Sequence, residues 1–96
     1  MGADTFVEKA EGKDAKSAFN QAVSDAAWEC GHGGYTGTIA EKRSFVMIDL
    51  PEGKDPVAYA NELIDSNDER IDDKWGPAGC IKLEGNKYLF FGWASS

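Results

Sequence analysis

The sequence predicts an α+β protein: an antiparallel sheet with two helices on one face, following the ferredoxin-like β-α-β-β-α-β plan with one extra strand at the C-terminal end. Two segments carry apolar residues at helical spacing. Short apolar runs bounded by glycine, proline and polar turn residues fall before, between and after them. The chain has 96 residues, which suits a single domain over 1–96 with a modest core.

Residues 5–10 read as the first strand, ended by Gly12. Asp14 is placed to cap a helix, because a short carboxylate can accept the unpaired amides of a first turn. After it Ala15, Ala18, Phe19, Ala22, Val23, Ala26, Ala27 and Cys30 form an apolar stripe, and Gly31 is a suitable stop. Residues 36–41 read as a short strand. Lys42 and Arg43 turn it into a hairpin partner at 44–49. Asp55 caps the second helix, Pro56 takes its first position, and Val57, Ala60, Leu63 and Ile64 make its buried stripe. Residues 66–73 form a polar, acidic connection and 74–79 a loop. Residues 80–83 and 87–93 are the last two strands, with Gly85 and Asn86 between them. The alternative is an antiparallel sheet with the helices on one face and another strand order.

The strands at 45–48 and 88–91 are apolar on both faces. A sheet with helices on one side should alternate on the other. Either a second copy covers the other face, making a homo-oligomer, or these are central strands under a long loop.

Acidic residues outnumber basic ones by 17 to 10, a net charge of −7. Phosphate backbones would be repelled, so direct nucleic-acid binding is not expected. Such a charge fits docking onto a basic protein surface, mimicry of DNA, or plain solubility. No apolar run approaches the ~20 residues that span a bilayer. The first residues lack a secretion signal, and Phe6 stands where a myristoylation signal needs Ser or Thr. A cytoplasmic protein without membrane contact is expected, with Cys30 and Cys80 reduced. One histidine and two cysteines make a zinc site improbable. Neither a metal nor a cofactor is expected.

Four glycines stand at 31, 33, 34 and 37. A helix stop explains one; the rest point to tight turning or close approach of another molecule. Around them are an aromatic ring, hydroxyls, amides and cations, a set suited to a phosphorylated or nucleotide-like ligand. The candidate binding residues are His32, Gly33, Gly34, Tyr35, Thr36, Thr38, Lys42 and Arg43. The competing reading is a long connection with helix-stop chemistry. It is neither a Walker loop nor a dinucleotide fingerprint. Lys74 and Trp75 join the candidates, as a cation and a stacking ring in a second loop; equally, Trp75 could fold back over the core. A joint site made by both loops, across a subunit boundary or within one chain, is the specific expectation. His32 beside Cys30, Glu41 or Asp73 does not amount to a catalytic constellation, so no enzyme is expected.

The blocks Gly31-His32-Gly33-Gly34-Tyr35-Thr36-Gly37-Thr38-Ile39-Ala40-Glu41-Lys42, Asp73-Lys74-Trp75-Gly76-Pro77-Ala78-Gly79 and Tyr88-Leu89-Phe90-Phe91-Gly92-Trp93-Ala94-Ser95 resemble those of small accessory proteins of actinobacterial phages and their hosts. The resemblance covers nearly the whole chain and carries no known activity. It implies an accessory protein that blunts host defence or redirects host machinery. The expected function is therefore non-enzymatic binding of a small phosphorylated ligand, in an anti-defence role. The alternative is an acidic module, or DNA mimic, that binds and inhibits a host protein.

Overall fold

The computed structural model describes residues 2–30 and 38–95, with Cys30 described by its backbone only. Strand β1 (Ala3–Glu11) leads into helix α1 (Ala15–Cys30), a 3-10 turn (Ile39–Glu41) and strand β2 (Phe45–Met47). Helix α2 (Pro56–Asp65), strand β3 (Ala78–Lys82) and strand β4 (Lys87–Ser95) complete the fold.

Both helices begin as their caps dictate. The Asp14 carboxylate accepts the Ser17 N–H at 2.8 Å, and that of Asp55 accepts the Ala58 N–H at 3.0 Å. α2 ends in a Schellman motif. Asp68 N–H donates to the Leu63 carbonyl at 3.0 Å and Asn67 N–H to that of Ile64 at 3.1 Å, with Asn67 left-handed at φ 55. At the hairpin between β3 and β4, Gly85 adopts φ +68.

The four strands lie in the order β1-β4-β3-β2. β4 pairs antiparallel with both β1 and β3, whereas β2 runs parallel to β3. The sheet is therefore mixed, not antiparallel. The expected strand at 36–41 is replaced, over its described part, by the 3-10 turn, so β2 has no hairpin partner there. It pairs instead with β3 through the α2 crossover, and a parallel pair requires such a crossover. β1 sits at one edge beside the last strand of the chain, and the ferredoxin-like order is not formed.

The helices cover opposite faces. Successive strand residues point to opposite sides. Ala78, Cys80, Tyr88 and Phe90 pack with Phe6 and with Ala18, Phe19, Ala22 and Ala26 of α1. Ile81, Leu89 and Phe91 pack with Ala60, Leu63 and Ile64 of α2. Placing both helices on one face is thus corrected. The two-sided apolarity of β4 reflects helix cover from within the chain, whereas in β2 Phe45 and Val46 are half-buried and Met47 is exposed. Ile71, in the connection expected to be polar, is buried in the α2-side core.

On the α1 side the small alanines let the helix approach closely, and Phe19 wedges between Phe45 and Phe90. The three ring centroids lie 5.1 to 5.7 Å apart in tilted and edge-on arrangements.

Candidate functional site

Strand directions decide which segments meet. β1, β2 and β3 all begin at the end of the sheet where β4 finishes. α1, running back after β1, also finishes there. The segment 38–43 and the loop 72–77, separated in sequence by about thirty residues, are both delivered to this end.

Thr38 is extended, and its Oγ1 accepts the Ala40 N–H at 3.2 Å, capping the 3-10 turn. The turn drives Ile39 fully into the α1-side core. Lys42 closes it, donating its N–H to the Ile39 carbonyl at 2.9 Å. Its side chain then enters the protein, only 4% exposed. There the Nζ donates to the carbonyls of Gly76 at 2.9 Å, Asp73 at 3.2 Å and Lys74 at 3.3 Å. An ammonium has three protons, and these acceptors match them. Burial pushes the Lys42 pKa down, and the negative charge of Asp73 opposes that shift.

The loop held by Lys42 is also ordered from within. Trp75 donates its N–H to Asp73 Oδ1 at 2.8 Å, and Gly76 N–H donates to the Asp73 carbonyl at 2.9 Å. This is an Asx-type turn, which a short aspartate side chain suits. Lys74 Nζ lies 5.5 Å from the centre of the Trp75 ring and donates to the Gly2 carbonyl at 3.4 Å. Trp75 is 63% exposed on this fixed loop.

Of the residues expected to bind, His32, Gly33, Gly34, Tyr35 and Thr36 lie outside the described residues. Lys42, Lys74 and Trp75 are brought together, within one chain. Lys42 holds the loop through buried hydrogen bonds, so its charge faces the protein interior. Arg43 is exposed and lines a separate recess with Lys16, Phe19, Asn20, Ser44 and Phe45. Lys16 and Asn20 escaped the sequence reading, although their spacing from Phe19 places all three on one helical flank. Trp28 also escaped it. It is 86% exposed on α1, and its position off the Ala18-Ala22-Ala26 stripe foreshadows that.

Cys80 is a free, fully buried thiol whose pKa burial pushes up to about 12, which makes it inert as a nucleophile. Glu8 has its pKa raised, first by burial and then by the neighbouring charges of Glu29 and Asp25. Among the described residues no group of His, Cys, Asp and Glu side chains could hold a metal ion, and no helix is long and apolar enough to cross a membrane. Compared with protein-family models, curated proteins and solved structures, the chain matches none of them.

Proposed function

We propose that the chain is a non-enzymatic binding protein whose recognition tip is formed by segment 38–43 and loop 72–77, and that it captures a small phosphorylated ligand. The observation that carries this reading is the clamp of Lys42 on three carbonyls of the Trp75 loop. A tryptophan on a pre-ordered loop binds without a large ordering cost. The glycine-rich segment that precedes Thr38 in the sequence carries amides and hydroxyls that suit the same class of ligand. The resemblance of these blocks to accessory proteins of actinobacterial phages extends the proposal to an anti-defence role, in which the ligand is a nucleotide signal of the host.

The test is direct. Purified protein is denatured and its supernatant analysed by mass spectrometry, followed by calorimetry against linear and cyclic nucleotides. A released nucleotide, and binding lost in Trp75→Ala, are the expected results; an empty supernatant with a silent panel would sink the proposal.

A second reading is supported by the acidic cluster of Glu8, Asp25 and Glu29, in which burial first and then the two neighbouring charges raise the Glu8 pKa. Such a surface suits a basic partner protein. It predicts capture from host lysate that weakens steeply with salt and is indifferent to Trp75→Ala.

A further inference from the structure

Between α1 and the start of β2 lies a recess of about 260 Å³. α1 supplies Lys16, Phe19 and Asn20, at positions i, i+3 and i+4 and hence on one flank. The chain entering β2 supplies Arg43, Ser44 and Phe45. Two cations therefore share one concavity with a hydroxyl, an amide and two phenyl rings.

The charge of this recess reverses that of the molecule. The chain carries −7, and the larger groove between β1 and α1 sets Glu8, Glu11 and Asp25 against Lys9 and Lys87. Among the described residues no carboxylate lines the smaller recess. Lys16 and Arg43 form no ion pair with a described residue. The neighbouring Asp14 carboxylate accepts the Ser17 N–H at the helix cap and also attracts Lys16 electrostatically. Arginine matches phosphate oxygens two at a time, and lysine adds a point charge. Phe19 is buried and fixes Phe45 at 5.1 Å between ring centres. Phe45 is itself only partly buried and offers an apolar surface to the recess.

We infer that this recess binds a phosphate monoester joined to a flat ring, of mononucleotide size, with Lys16 and Arg43 on the phosphoryl oxygens and the ring against Phe45. The volume lies just below the range of about 300–1,000 Å³ typical of sites for drug-sized ligands, which favours a mononucleotide over anything larger. Asn20 and Ser44 supply the neutral hydrogen-bonding groups. The inference shares with the proposed function only the phosphorylated class of ligand; the recess is separate from the recognition tip and does not include Trp75, so monophosphate held there should survive Trp75→Ala.

Calorimetry with nucleoside 5′-monophosphates, the matching nucleosides and inorganic phosphate tests it, using wild type, Lys16→Glu, Lys16→Arg, Arg43→Glu and Trp75→Ala. Lys16 and Arg43 are exposed, so thermal melts of their variants should match wild type. At least one monophosphate should bind, and both charge reversals should weaken it at least tenfold, while Lys16→Arg retains it. The nucleoside and inorganic phosphate should each bind at least tenfold more weakly than the monophosphate. Binding that ignores both charge reversals but needs Trp75 would overturn the inference and leave the recognition tip as the ligand site. A co-purified phosphorylated ligand of another size, with no monophosphate binding, would do the same. Silence in every arm, with nothing co-purified, overturns both.

Discussion

Lys42 is the residue on which the candidate site depends. A buried ammonium is costly unless each of its protons is met, and here the acceptors are carbonyls of a loop that has little other backbone pairing. Lys42→Met keeps much of the side-chain volume and removes the donors. The carbonyls of Lys74 and Gly76 then lose the Lys42 donor, while that of Asp73 keeps the Gly76 N–H. Stranding buried acceptors costs about 1–3 kcal/mol. Urea melts of Lys42→Met should show a loss of that size. Trp75 fluorescence should also become more accessible to iodide; Trp28 and Trp93 contribute background, so the comparison belongs in a Trp28→Phe, Trp93→Phe protein. Unchanged stability and quenching would remove Lys42 as the organiser of the loop. Sequence reading placed Lys42 in the site for its charge, and location alone was legible. A lysine destined for the interior is not distinguishable from one bound for solvent until the chain path shows which carbonyls surround it.

At the scale of elements, the helices were legible because each carries its own instructions. Asp14 and Asp55 cap, and stripes of period 3.6 follow. The hairpin expected at 36–49 was misread for a local reason. Short runs such as Thr36 to Glu41 fit a strand or a turn equally well, and the Thr38 hydroxyl competes for nearby amides in a way that closes a 3-10 turn. The glycine at 79 was assigned to a loop, yet it lies within β3 opposite Phe91. A Cβ there would sit 2.6 and 2.8 Å from atoms of the Phe91 ring and 3.1 Å from Ile48 Cδ1. The ring covers the bare backbone, so Gly79 is what allows Phe91 to lie flat on the sheet. Gly79→Ala must displace a fully buried phenyl ring, and overpacking of this kind costs about 1–3 kcal/mol. A thermal melt should register it; an alanine variant as stable as wild type would mean that Phe91 re-seats without strain.

For the whole molecule, the three-layer arrangement was half legible. β4 announced that both its faces are buried, but pattern alone cannot say whether a helix or a second copy supplies the cover. α2 supplies it. The same layering fixes the response to pH. α1 lies over β1, and its outer flank brings Asp25 and Glu29 toward Glu8, whose pKa is raised from 4.5 by burial and by those charges. The native state therefore holds more protons than the unfolded chain in the interval just above pH 4.5. Stability from this group is gained as pH falls through that interval and is absent at neutrality. Relief of the net charge of −7 acts in the same direction. Asp14 and Asp68 oppose it lower down. The Ser17 amide holds Asp14 below 3.8, and hydrogen bonds from Arg70 do the same for Asp68. Their contributions are present above 3.8 and are lost as pH falls through their lowered values. Stability should thus rise on acidification from neutrality toward pH 4.5 and fall again below 3.8, with the optimum on the acid side. In Glu8→Gln the rise should shrink while the acid fall remains, because the glutamine cannot titrate and Asp14 and Asp68 still can. Urea midpoints measured for both proteins across this range decide the matter. A wild-type midpoint that is flat between neutrality and pH 4.5, or a Glu8→Gln protein with an undiminished rise, would show that the packing of α1 on β1 leaves Glu8 effectively solvated.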